Sequence, residues 1–451
     1  MRNGLNQLAR ALVFASGALM ISSSLALADA PPNAPIVPAP GSNAATGGPT
    51  VWNQDQEVSA LTGPRTVDPE FLAKGIPMGA FRLFTDLATD VSYDSNVFRV
   101  ENSAKSDVFF TETPSLILDY ETNEAHADLY ADATFNQYLK QTTVNNDEYD
   151  FGLRGSYLIT REAQFNGNVS YSQLAEPLSS PDVIAFQDRP NLYNLFDASG
   201  QFKYQPNRLG FVVGGSDDVY TYQNTPVFGG GEIGNADRNN TIYKGFVEAD
   251  YDFSPGYSAF ARGTYNSDQY SHYFDRSGTH RSSTGYQADA GVKLLLGNLI
   301  QGSMYLGYVD QVYDHHQANP LSDISGLDFG ADLNWYPTEL LTVNLTAARQ
   351  IENTTLNGAS GGDDRSVDLS ANYEVTRRVL LTANVGYDDT KFQGSIPYQD
   401  DKTPTAGAGL KFLISHYVQA TLSYQYTSRT STEAGLKYND NLASLSLNWQ
   451  I

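Results

Sequence analysis

The chain has no cysteine among its 451 residues, so neither disulfides nor thiolate-bound metals can hold it together. It has no internal apolar run of the roughly 18 residues that a membrane helix needs. Bases are scarce. Only 28 Lys and Arg stand against 51 Asp and Glu, for a net charge of −23. Such a surface repels a phosphate backbone, so nucleic acid is excluded as a partner. A catalytic pattern is missing too. His126 shares a strand face with Asp128 and Asp132, but no nucleophile motif accompanies it. Asp314-His315-His316 falls in a long loop and reads as a solvated segment. No enzyme activity, cofactor or metal is expected.

What is present is β-rich. The chain has 29 Tyr, 22 Phe and 38 Gly, with plentiful Asn, Asp, Ser and Thr for turns. At the N-terminus, Arg2 and Arg10 bracket a positive region, followed by a short apolar stretch from Ala11 that ends in Ala26-Leu27-Ala28. This is the pattern of a secretory leader over residues 1–28. Its loss would take the net charge from −23 to −25, since it carries two Arg and no acid. Residues 29–79 are rich in Pro, Ala, Asn and Gly and show no periodicity. They read as an extended periplasmic segment: a linker, a partner-binding arm or a plug.

From Ala80 onward, residues 80–451 alternate apolar with polar almost without interruption. Ala125, Ala127, Leu129, Ala131, Ala133 and Phe135 oppose His126, Asp128, Tyr130, Asp132 and Asn136. Leu327, Phe329, Ala331, Leu333 and Trp335 oppose Asp328, Asp332 and Asn334. Period two is the mark of a strand with one apolar and one wet face. Such segments recur near residues 80–94, 107–121, 124–139, 147–160, 163–174, 192–204, 208–222, 239–252, 256–267, 283–295, 299–312, 325–336, 340–351, 365–375, 379–390, 403–413, 416–428 and 440–451. Short turns such as Thr160-Arg161-Glu162 and Gln205-Pro206-Asn207 alternate with long loops such as 175–191, 268–282 and 352–364. Tyr93, Tyr204, Tyr251, Trp335, Tyr387 and Trp449 gather at strand ends, where interfacial girdles belong. The expected fold is all-β: a transmembrane antiparallel up-and-down barrel of about 18 strands, preceded by a disordered N-terminal segment.

Asp68-Pro69, Gly75-Ile76-Pro77-Met78-Gly79-Ala80-Phe81, Tyr93-Asp94-Ser95-Asn96-Val97-Phe98, Ser106-Asp107 and Pro114-Ser115-Leu116 carry a family likeness. Together they resemble the second β-barrel porin family of Gram-negative outer-membrane proteins. The resemblance implies an outer-membrane barrel and, because such barrels are often linked to exopolysaccharide and capsule secretion, an export conduit. A passive porin for small solutes is the alternative, and a surface structural or adhesive barrel with a closed lumen is a third. Implied partners are outer-membrane lipid, the barrel assembly machinery, polysaccharide and periplasmic export components.

Parity sorts the lumen. If the apolar faces meet lipid, the selectivity candidates are Arg82, Asp86, Asp90, Asp128, Tyr130, Asp132, Arg154, Glu248, Asp250, Arg262, Asp328, Asp332, Asp368 and Glu374. Acids dominate, which favours cations or neutral sugars over anions. The same charges could also be a solvated salt-bridge mesh without selective work. The final nine residues give the last register. Ala443, Leu445, Leu447, Trp449 and Ile451 should face lipid, while Ser444, Ser446 and Asn448 face water. This strand should close against the one starting near Ala80. Leu445, Leu447, Trp449 and Ile451 also resemble the C-terminal signal read by the assembly machinery, although that signal usually ends in Phe.

Overall fold

A chain that alternates apolar and polar residues can satisfy every backbone group only by pairing each strand on both sides. In the computed structural model, which describes residues 69–183, 189–227, 230–297, 299–315, 320–396 and 398–451, it does so by closing on itself. The barrel strands are β1 (Phe81–Asp94), β2 (Asp107–Glu121), β3 (Ala125–Tyr138), β4 (Asn146–Thr160), β5 (Ala163–Ala175) and β6 (Leu192–Tyr204). They continue as β7 (Leu209–Tyr222), β8 (Asn240–Ser254), β9 (Tyr257–Tyr270), β10 (Ser283–Leu295), β11 (Ile300–Tyr313) and β12 (Ile324–Thr338). The wall ends with β13 (Leu341–Glu352), β14 (Gly362–Thr376), β15 (Val379–Phe392), β16 (Gln399–Ser415), β17 (Val418–Ser431) and β18 (Tyr438–Gln450). Each pairs antiparallel with the next, and β18 pairs with β1 from Asp86↔Gln450 to Asp94↔Leu442, closing an 18-strand barrel. Main-chain bonds between Ile451 and Thr85 extend that seam.

The alternation decides which face is which. Leu129, Val247, Leu306 and Leu327 point outward and are 57–63% exposed, while Asp128 and Asp328 point inward and are 0% and 2% exposed. An apolar belt of this extent is stable only against lipid. Tyr93, Tyr204, Tyr251, Trp335, Tyr387 and Trp449 all face outward and exposed, as interfacial aromatics do. The expected register of the last strand is present. Leu445, Trp449 and Ile451 are exposed outside, and Ser444 and Ser446 are buried inside.

Several strands outrun their expected limits. The strands read over 379–390, 403–413 and 365–375 are longer in the structure: β15 reaches Phe392, β16 starts at Gln399 and β14 starts at Gly362. The cause is chemical. Beyond the lipid belt both faces of these strands are polar, as in Asp388–Lys391 and Asp400–Lys402, so the periodic signal vanishes although the pairing continues. The leader read over residues 1–28, most of the segment read over 29–79, and His316 lie outside the described residues.

An even strand number puts both chain ends at the short-turn mouth, the periplasmic side of a bacterial barrel. At the turn into β9, Gly256 takes a φ of +78°, and a side chain there would collide with the Leu295 carbonyl. At Gly152 the missing side chain leaves room for the ring of Tyr130 from the neighbouring strand; a Cβ would lie 2.8 Å from the Tyr130 hydroxyl.

Candidate functional site: the lumen and its two mouths

Lumen-facing charges are spread unevenly round the wall. From β2 to β10 several acids meet bases on adjacent strands, while others meet neutral or acidic neighbours, as where Ser172 donates to Asp150 and Asp197 stands opposite Asp218. Asp128 pairs with Arg154 at 2.9 Å, both of them buried. Glu248 takes Arg262 at 2.9 Å and Lys293 at 2.8 Å, and Lys293 also meets Asp250 at 2.8 Å. Arg154 lies 5.5 Å from the Tyr130 ring centre and Arg262 5.1 Å from that of Phe260, so the aromatics pack under cations. Asp132 stands opposite Ser115 and Asp150. Tyr130, Tyr193 and Phe260 are buried, which makes them braces of the wall rather than open stacking platforms.

From β12 round to β1 the balance changes. Asp328, Asp332, Asp368, Glu374, Asp86 and Asp90 face inward, with Lys411 among them and Arg82 and Arg429 at the two ends. Gln287 donates to Asp328 and Asn344 to Asp332. Asp368 is exposed to the lumen, and Arg82 is exposed at the short-turn mouth. Asp90 is 0% exposed, and neither of its carboxylate oxygens has a hydrogen-bond partner among the described residues. The expected lumen residues on these strands share the inner face but do not form one site: ion pairs with Lys and Arg gather between β3 and β10, and inward bases are few from β12 to β1. Among the described residues, Asp119, His126 and Asp128 form the one group with metal-ligand spacing, within 4.8 Å of one another. Arg154 already neutralises the Asp128 carboxylate there.

The long-loop mouth is crossed by loops. The loop after β5 and the loop after β13 sit eight strands apart in an 18-strand wall, on nearly opposite sides. They nevertheless touch. Asp182 Oδ1 accepts from Thr354 Oγ1 at 2.8 Å, Thr355 N at 2.7 Å and Thr355 Oγ1 at 3.0 Å. Arg238 holds the near end, donating to both Glu176 oxygens at 2.9 and 2.8 Å and facing Asp182 at 3.5 Å. Arg281 holds the far end, donating to Asp275 and to the carbonyls of Thr354, Leu356 and Ala359. Arg429 on β17 donates to the Ser179 carbonyl at 2.5 Å. Burial alone would raise the Glu176 carboxyl, but Arg238, Asn191 and Ser180 outweigh it and hold it below its ordinary 4.5. Burial acts likewise on Asp275, and Ser277, Thr279 and Arg281 hold it below its ordinary 3.8.

These bridging residues carry no parity signal because loops have no period. The available signal was the isolated bases Arg238 and Arg281 in long polar loops.

The short-turn mouth carries a cleft of about 430 Å³ on one side, lined by charged residues such as Lys203, Glu248 and Lys293 and by apolar ones such as Val212, Phe246 and Leu295. Phe71 is buried on the other side, against Leu380 and Leu413.

The family model described as "Putative beta-barrel porin 2" matches residues 68–451. The chain belongs to that family. No match is found among curated proteins. Among solved structures, OpdL of Pseudomonas aeruginosa is similar with a TM-score of 0.41 at 12% identity, over 83% of this chain and 99% of that one. OccAB4 of Acinetobacter baumannii gives a TM-score of 0.43 at 11% identity, over 85% of this chain and 100% of that one.

Proposed function

We propose that this porin-family barrel is an outer-membrane channel that passes neutral and cationic hydrophilic solutes. Its long-loop mouth is held narrow by the loop bridge at Asp182. The observation that carries this reading is the acidic wall from β12 to β1, with Asp368 exposed to the lumen among other inward carboxylates and few bases near them. Fixed carboxylates in a water-filled passage with low-dielectric walls attract cations and repel anions. Liposomes carrying the protein should swell faster in neutral sugars and in zwitterionic solutes than in dicarboxylates of similar size. Equal or faster swelling in dicarboxylates would refute the acidic-filter reading.

A second reading follows from the family resemblance: export of exopolysaccharide or capsular polymer, delivered by periplasmic components at the short-turn mouth. The inward amides Asn168, Asn344, Asn372 and Asn384 favour it, since they can exchange hydrogen bonds with sugar hydroxyls. A polymer would require the Asp182 bridge to part. Deleting the gene should then strand polymer in the periplasm with small-solute uptake unchanged. Normal polymer at the cell surface would leave the solute channel as the function.

A further inference from the structure

Buried apolar side chains line the lumen in several places, as at Ile117, Val212, Ile242 and Phe260, but one pair lies at the short-turn mouth and is covered by a residue from before the first strand. Leu380 shares an inward face with Thr382 and Asn384, and Leu413 shares one with Lys411. Both leucines break the alternation, and both are almost fully buried, at 3% and 1% exposure. The residue that covers them comes from outside the wall. Phe71 packs on the pair, and the Arg378 guanidinium lies 5.6 Å from the centre of its ring. Gln450 Nε2, one residue from the C-terminus, donates to the Phe71 carbonyl at 2.9 Å and to the His416 carbonyl at 3.1 Å. Arg82 on β1 donates to the Lys74 carbonyl at 2.6 Å. The chain then leaves the mouth. Ile76–Met78 pairs back onto Phe81–Leu83, through a turn in which Gly79 adopts a φ of +70°.

We infer that Leu380, Leu413, Arg378 and Gln450 form an internal binding socket whose ligand is the chain's own aromatic residue Phe71. By filling it, residues 69–75 occupy part of the short-turn mouth and clamp the strand pair that closes the barrel. Two observations point to a built site rather than a chance contact. Phe71, Leu380 and Leu413 are each almost fully buried in one cluster, and the hydrogen bonds from Gln450 and Arg82 go to main-chain carbonyls of the segment, so they fix its path whatever its side chains. The clamp involves both sides of the seam, Arg82 on β1 and Gln450 on β18. Phe71 is thus a partial plug at the periplasmic end, opposite the loop bridge at the other mouth.

The part of this inference that concerns conduction rests on the channel reading; the socket itself does not. The full-length chain has no cysteine, so introduced thiols report without background. Phe71→Cys with Leu413→Cys should be joined by a short bis-maleimide in native outer membranes. Ser92→Cys with Ser444→Cys, across the seam where the two hydroxyls lie 2.8 Å apart, serves as the positive control. In planar bilayers Phe71→Ala, checked for heat-modifiable folding, should conduct more than wild type. Failure of the Phe71→Cys/Leu413→Cys pair to join while the control joins would overturn the socket. Wild-type conductance in Phe71→Ala would overturn the plug. Silence of every variant and of wild type would instead remove the channel reading, and the cross-link would still decide the socket.

Discussion

Replacing Asp182 by Ala should open the long-loop mouth, and the structure gives the size of the effect. One oxygen of this carboxylate accepts three hydrogen bonds, at 2.7, 2.8 and 3.0 Å, from Thr354 and Thr355 on the far side of the lumen. A hydrogen bond to a charged group contributes about 1.5–3 kcal/mol. Three bonds sharing one oxygen do not add, so the bridge is worth roughly 3 kcal/mol in all. At 1.4 kcal/mol per tenfold, its loss shifts the balance of bridged and parted loops by about a hundredfold. Single-channel recording of Asp182→Ala should therefore show long dwells in a larger conductance that wild type visits rarely. Asp182→Asn keeps an acceptor oxygen but loses the charge, and neutral hydrogen bonds contribute about 0.5–1.5 kcal/mol. Its dwell times should fall between the two. Conductance and dwell times in Asp182→Ala equal to those of wild type would refute the idea that this bridge sets the mouth.

Further outcomes follow from other contacts. Arg154→Met leaves Asp128, 0% exposed, without its guanidinium. This should destabilise the barrel by roughly 3–5 kcal/mol in urea titration of the lipid-bound protein, and adding Asp128→Asn should recover much of the loss. Because the folded Glu176 and Asp275 carboxyls are held below their ordinary 4.5 and 3.8, their stabilisation of the loops is complete above those values. It is lost as pH falls through the depressed folded values, so the mouth should open on acidification and not on alkalinisation. Conductance recorded from pH 7 down to 3 checks the direction. Deleting residues 443–451 removes the strand that pairs with both β17 and β1, and should abolish the heat-modifiable form on gels.

The wall was legible in the sequence because lipid enforces it. Any outward polar residue within the belt would be costly, so Leu129, Val247 and Leu327 had to alternate with inward acids, and the register of β18 could be read from Leu445 to Ile451. The strand ends beyond the belt were not legible. There Asp389 and Lys391 satisfy each other outside while Asp388 faces inward, and no apolar residue marks the face. The lumen residues were legible as a set but not as an arrangement. That Asp128 is neutralised by Arg154 while Asp368 stays open depends on which strands are neighbours and on side-chain reach. The loop bridge and the Phe71 socket were invisible to periodicity. One joins segments more than 170 residues apart, and the other shows in the sequence only as two leucines, Leu380 and Leu413, on the polar parity.

The central claim is that a porin-family barrel with an acidic inner wall conducts, and prefers cations. The most direct measurement is the reversal potential of the purified full-length protein in a planar bilayer, under a tenfold KCl gradient at neutral pH. The account predicts discrete channels whose reversal potential has the sign of potassium selectivity, moving toward zero as pH falls and the lumen carboxylates are neutralised. Anion selectivity, or a folded barrel that inserts and carries no current even with Asp182→Ala and Phe71→Ala combined, would contradict it.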